Sequence, residues 1–380
     1  MPAIVILIAL VAALAAPALR AAAPPVPAPP ALEARSYLLM DFDSGRVLAA
    51  REPEARVEPA SITKVMTTYV VLREIAAGRI RLDDAVTVSE KAWRTPGSRM
   101  FIEVGTKVTV RELLMGLIVQ SGNDASVALA EQVAGTEAAF ADLMNRTAAE
   151  LGLTGSHFVN ATGLPDPEHY MTARDIALLA RALIRDFPRE YAWFKERVYE
   201  YNGIRQYNRN RLLWRDGSVD GIKTGHTESA GYSLVASARR GPMRLISVVL
   251  GTRSDEARTE ASQALLNYGF RFFETHRLYA AGKPLTEARV WKGARPTVGL
   301  GLAEDLYVTI PRGAYEQLEA EMALDGTAVT APARKGQRLG TVRVRLGGET
   351  LAERPLVALA DVPLGGLAQR LIDEVRLWFQ

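Results

Sequence analysis

The chain has no cysteine, which excludes a thiol nucleophile and any structural disulfide. Its four histidines are scattered and form no H-E-x-x-H run, so a zinc peptidase is unsupported. The excess of positive over negative charge is small too. Lys and Arg number 46 against 43 Asp and Glu, a net charge of +3 with no basic cluster, which argues against a nucleic-acid partner. The longest apolar run, residues 4–19, is short for a membrane span. The chemistry is left to serine and lysine, with no metal or cofactor.

What is present is a set of three short runs: Ser61-Ile62-Thr63-Lys64, Ser121-Gly122-Asn123 and Lys223-Thr224-Gly225. By chance S-x-x-K and S-x-N would each occur about once in such a chain, and K-T-G in roughly one such chain in twenty. Their order, and a chemistry that needs all three, carry the weight. Ser61 and Lys64 lie one helical turn apart, on one face. Residues 62–74 predict a helix, with Val65, Met66, Tyr69, Val70 and Leu72 apolar against a polar face and Gly78 as a stop. Pro59 suits its start and places Ser61 in the first turn, where a backbone N–H free of an intrahelical partner can stabilise an oxyanion. A serine hydroxyl needs a base, and with no histidine beside a suitable serine, Lys64 is the better one. It must be neutral to act, through burial or a nearby cation such as Lys223.

Ser121-Gly122-Asn123 forms a polar kink between the apolar run 113–119 and an alanine-rich helix at 125–133. The bland alternative is a helix–helix turn closed by Gly122 and capped by Asn123 or Asp124. Lys223-Thr224-Gly225 opens a strand-like region, and residues 232–238 and 244–250 read as paired strands joined through 239–242. An edge strand carrying a cation and a hydroxyl can hold an acidic substrate end while its backbone extends the sheet to a peptide.

The three motifs together resemble the set shared by β-lactamases and penicillin-binding proteins. The flanks narrow this. Residues 59–67, Asn208-Arg209-Asn210 with Leu212-Leu213-Trp214, residues 219–227, Arg244-Leu245-Ile246 and residues 268–274 resemble the serine-type D-alanyl-D-alanine carboxypeptidases, which are low-molecular-mass penicillin-binding proteins. The resemblance covers nearly the whole chain. It implies that Ser61 attacks the penultimate D-Ala carbonyl of a peptidoglycan stem peptide and that Lys64 accepts its proton. Ser121 would relay a proton to the departing D-Ala, and Asn123 would bond the substrate backbone. Lys223, Thr224 and Arg258 would bind the terminal carboxylate, with Arg253 as rival to Arg258 and a solvated helix face as the bland alternative for both. The N–H groups of Ser61 and His226 would form the oxyanion hole. β-Lactams are implied as covalent ligands.

Residues 1–23 resemble a secretory signal with small residues at a cut near Ala23, although no Lys or Arg precedes the apolar run. A misplaced start or an uncleaved anchor would each account for that. Residues 24–32 predict a stiff proline-rich linker. A serine peptidase domain is expected over 33–275, its helices from 62 to about 150 set between strand-forming ends, giving an α/β sandwich (penicillin-binding, β-lactamase-like) with a helical insert. A small β-rich domain follows at 276–362, with strand-like runs at 288–291, 306–310, 340–344 and 351–357. Residues 363–380 are amphipathic. Leu364, Leu367, Leu371, Ile372, Val375, Trp378 and Phe379 oppose Gln369, Arg370, Asp373, Glu374 and Arg376. The resemblance implies a helix on the outer face of the cytoplasmic membrane, hence an exported, peripheral protein on the periplasmic side. Packing on its own domain is the alternative.

Rivals of the same fold remain. A β-lactamase of one large class needs a glutamate in an E-x-x-L-N setting, and neither Glu150 nor Glu168 has those flanks. The complete set of serines and lysines argues against a non-turnover penicillin-binding sensor. The extra C-terminal domain leans away from a D,D-endopeptidase.

Overall fold

The computed structural model of the protein describes residues 25–326 and 328–377, so the apolar run 4–19, Trp378 and Phe379 lie outside the described residues. Its centre is a five-stranded antiparallel sheet in the order Val47–Arg51, Ser36–Asp41, Met243–Thr252, Gly231–Arg240, Val219–Thr227. Strands from the two ends of the peptidase region thus lie side by side, and the mostly helical segment between them is an insert. The central strands are apolar on both faces because both are covered. Leu38, Met40, Ile246 and Val248 face one core with the insert helices. Their neighbours Leu39, Leu245 and Val249 face a second core with Leu265 and Leu266 of the helix Asp255–Phe272. That helix lies close on the sheet: a Cβ on Gly269 would meet Leu245 at 2.5 Å and Leu39 at 2.9 Å. Ser254 caps its start, accepting from Ala257 N at 3.1 Å.

The helix after Ser61 differs from its expected amphipathic form. The α-helix spans Thr63–Ala76, after a tight 3-10 turn at Ala60–Ile62 that holds Ser61. The side expected to be polar is buried with the rest, Lys64, Thr67 and Thr68 all at 0 % exposure. A helix enclosed on all sides must satisfy its polar groups internally, and it does: Thr67 Oγ1 donates to Ala161 O at 2.7 Å and Thr68 Oγ1 to Lys64 O at 2.8 Å.

The β-rich part forms a six-stranded sheet, Leu318–Leu324, Arg338–Leu346, Glu349–Ala358, Thr297–Gly301, Pro284–Trp291 and Val329–Thr330, beside a two-stranded pair, Phe273–Tyr279 with Leu306–Pro311. All four expected strand runs fall inside these strands. The boundary drawn at 275/276 cuts through Phe273–Tyr279, which follows the helix Asp255–Phe272 without a loop, so the break belongs at 272/273. Two further expectations change. Residues 25–32 are no free spacer: Val26 and Leu32 pack on the second core, and Tyr268 OH donates to Pro27 O at 2.9 Å. The terminal helix Leu367–Leu377 does dock on its own domain, but by its acidic side. Asp373, 2 % exposed, accepts from Lys292 N at 2.7 Å, and Glu374 pairs with Lys292. The apolar stripe is left outside, with Leu367 at 76 % and Leu371 at 68 % exposure.

Candidate active site

Ser61, Ser121, Thr224, His226 and Arg258 meet at one open cleft of about 450 Å³. Lys64, Asn123 and Lys223 stand behind its surface, each at most 5 % exposed. Sequence separations of up to about 200 residues vanish here because the insert helices pack against the edge strand Val219–Thr227.

Lys64 Nζ lies 2.9 Å from Ser61 Oγ and donates to Thr162 O at 2.6 Å. Burial pulls its pKa down to about 7, helped by the cation of Arg209 and opposed by the carboxylate of Asp124. A substantial fraction of Lys64 is therefore neutral at neutral pH and can take a proton. Of the two expected causes, burial is the larger, and the cation that adds to it is Arg209 rather than Lys223. Repulsion between the two lysines weighs on Lys223, whose pKa falls well below its usual value through burial first, then Lys64, Arg209 and Arg258.

Ser121 follows a π-helical turn, Gly116–Gln120, and takes a left-handed conformation (φ 69°, ψ 35°) that non-glycine residues rarely adopt. Ala60, next to Ser61, is also left-handed at φ 49°. Such strained positions cluster at working sites. Ser121 Oγ is buried without a hydrogen-bond partner, so its bonding capacity is unspent. Asn123 opens the helix Asn123–Ala134. Its Nδ2 donates to Pro96 O at 2.6 Å and its backbone N to Ser98 O at 2.7 Å, which fastens the loop bearing Ser98 to the cleft. Asp124 secures the same loop by accepting from Met100 N at 3.0 Å and Phe101 N at 2.9 Å.

Lys223-Thr224-Gly225 lies in the middle of the edge strand rather than at its start, facing Val235, Leu234 and Ser233. Arg258 is 5 % exposed; its Nη1 donates to Gly225 O at 3.0 Å and Ser233 O at 3.2 Å, and its Nη2 pairs with Asp255. Arg253 points to solvent and pairs with Glu33 at 2.9 Å. Position in the cleft thus favours Arg258, and the solvated-face alternative fails for it. The His226 ring lies against the Tyr232 ring at 4.0 Å, tilted by 33°, with the Arg258 guanidinium 5.5 Å from the Tyr232 ring.

Sequence reasoning missed Ser98, Arg209 and Tyr232, which also line the cleft. Arg209 had entered only as a motif flank. Its place depends on Asn210, whose Nδ2 donates to Gly221 O at 3.0 Å and ties the segment to the edge strand. Among the described residues, no group of three or more His, Cys, Asp or Glu side chains is placed to hold a metal.

The family model for D-alanyl-D-alanine carboxypeptidases matches residues 23–254, and that for the C-terminal domain of penicillin-binding protein 5 matches 273–364. The chain belongs to the D-alanyl-D-alanine carboxypeptidase family. Similar members include the D-alanyl-D-alanine carboxypeptidases DacA and DacC of Escherichia coli K12. DacA is 45% identical over 93% of this chain and 90% of its own length, and DacC 47% identical over 92% and 89%. Penicillin-binding protein 5 from Haemophilus influenzae, 43% identical, superposes with a TM-score of 0.85 over 88% of this chain and 99% of its own. As a carboxypeptidase family member the chain thus carries both parts of the fold, the peptidase region and the β-rich domain.

Proposed function

We propose that the protein is a serine D-Ala-D-Ala carboxypeptidase that removes the terminal D-Ala from peptidoglycan stem pentapeptides through an acyl-enzyme on Ser61. The observation that carries this is the buried Lys64 amine, pKa about 7, 2.9 Å from Ser61 Oγ. The peptide lies along the free edge of Val219–Thr227 as an added strand. Lys223, Thr224 and Arg258 hold its terminal carboxylate. Asn123, whose Nδ2 is already bound to Pro96 O, offers its amide oxygen to a substrate N–H. Ser61 Oγ attacks the penultimate carbonyl carbon as its proton passes to Lys64 Nζ, and the N–H groups of Ser61 and His226 receive the oxyanion. The C–N bond then breaks as Ser121 relays to the departing D-Ala amine the proton that Lys64 took from Ser61, which leaves Lys64 neutral again, and water hydrolyses the ester. A β-lactam follows the same first step and stays on Ser61.

A β-lactamase reading lacks support in the cleft, since Glu150 pairs with Arg73 at 2.6 Å and Glu168 lies at the surface, lining a different hollow. The exposed stripe Leu367, Leu371, Ile372 and Val375 supports peripheral attachment to a membrane interface. Together with the signal-like start, it supports work on the periplasmic side of the cytoplasmic membrane. Incubation with a stem pentapeptide, followed by mass spectrometry, should show loss of one D-Ala. An intact pentapeptide, or cleavage only of cross-bridged dimers, would overturn the carboxypeptidase reading.

A further inference from the structure

Residues 154–171 run back across the start of the nucleophile helix and touch it at three places. Thr162 O accepts from Lys64 Nζ at 2.6 Å, Ala161 O accepts from Thr67 Oγ1 at 2.7 Å, and His169 Nε2 lies 2.8 Å from Thr63 Oγ1. Gly163, at φ +81°, passes so close that a Cβ there would sit 1.8 Å from Ala60 O. Asn160 braces the turn, its Oδ1 accepting from Thr162 N at 3.1 Å and Gly163 N at 2.7 Å.

His169 is 2 % exposed and meets the Phe158 ring edge-on at 5.6 Å. The Val159 N–H donates to its Nδ1 at 3.2 Å. A donor facing Nδ1 leaves the ring proton on Nε2, which therefore donates to Thr63 Oγ1. Protonating the ring would set two N–H groups against each other at Nδ1. Burial holds the pKa down to about 4, with Asp166 opposing and His157 and Lys64 adding to the fall. Arg35, Arg56, Glu58 and Glu168 line the hollow on its outer side. Thr63 stands between Ser61 and Lys64, so this bond pins the far end of the loop to the turn that carries both reacting groups.

We propose that His169 is a positioning residue: its neutral Nε2–H, anchored on Thr63 Oγ1, holds the loop down so that Thr162 O keeps the Lys64 amine aimed at Ser61 and shielded from water. The inference rests on the assignment of Ser61 and Lys64 above. If the loop lifts, water reaches Lys64, its ammonium form becomes easier to hold, and less neutral amine is present at pH 7.

The test is the rate of Ser61 acylation by a labelled penicillin from pH 5 to 10, in the full chain and its variants. In the parent the rate should climb through about pH 7. In His169→Ala the climb should move up by about one pH unit, a roughly tenfold loss on the acid side with recovery to within about threefold at pH 10. Thr63→Val removes the acceptor at nearly constant volume and should move the profile the same way, which covers the case in which His169→Ala does not fold. His169→Gln, whose amide can place an N–H near Nε2, should stay close to the parent. Unmoved profiles in His169→Ala and Thr63→Val, or a loss equal at every pH, would overturn the positioning role. A parent that takes up no penicillin at any pH would instead overturn the active-site assignment itself.

Discussion

Gly225 of the edge strand and Pro59 ahead of the nucleophile are so close that a Cβ on the glycine would lie 2.7 Å from the Pro59 carbonyl oxygen and 3.4 Å from Ala60 Cβ. The third residue of Lys223-Thr224-Gly225 is thus a spacing device. Any side chain there must push the edge strand away from Ser61. Gly225→Ala should leave a folded protein whose acylation by penicillin drops on the order of a hundredfold, because about 1 Å of misplacement costs that much in a positioned reaction. Intact-mass kinetics beside a melting curve would check it.

Lys64 couples activity to stability. Its folded pKa of about 7 lies below its ordinary value of 10.5, so between those values the unfolded chain binds more protons than the folded one. Stability from this group therefore rises with pH across that window, and the cost of burying it is felt in full below pH 7. Lys64→Met should abolish acylation while raising Tm at pH 7 by a few degrees, since the relieved burial exceeds the roughly 1 kcal/mol lost with the bond to Thr162 O. Lys64→Arg should also lose acylation, because guanidinium stays protonated.

Ser121 sets activity against stability in the same direction. Its hydroxyl is buried and unpartnered, so Ser121→Ala removes an unsatisfied group and should hold or raise stability by up to about 1 kcal/mol. Release of D-Ala should nevertheless fall on the order of a hundredfold. Thermal melts and product analysis on the same sample would show the split, and a destabilised but active variant would contradict it.

The terminal helix can be removed cleanly only after Gly366. Residues before that point belong to the β-rich domain, where Ala294 N donates to Pro363 O and Gly365 N to Lys292 O, both at 2.9 Å. Deleting 367–380 should leave D-Ala release from soluble pentapeptide nearly unchanged and move the protein from the membrane fraction to the soluble one. Detergent should release the intact protein and high salt should not, because the stripe is apolar and the charges beside it nearly balance. Membrane pelleting of the truncated chain would place the anchor elsewhere.

Local chemistry was legible in the sequence wherever it depends on neighbours along the chain. The one-turn spacing of Ser61 and Lys64 follows from helix geometry alone, and the four strand runs of the β-rich domain follow from their alternating and bounded patterns. The antiparallel pair Gly231–Arg240 and Met243–Thr252 was visible because only a tight turn joins it. Tertiary structure decided what no spacing encodes. Arg258 and Arg253 are equivalent as residues of one short stretch, and only packing on the sheet buries one and leaves the other in solvent. The pKa of Lys64 is set by enclosure on every side, whereas its helix reads as amphipathic. Arg209 and Ser98 reach the cleft, and His169 the turn beside it, through loops whose course depends on long-range bonds, made by Asn210, by Asn123 with Asp124, and by Thr63 respectively. Desolvation and such bonds are properties of the assembled fold, since each arises only when segments far apart in the chain exclude water together.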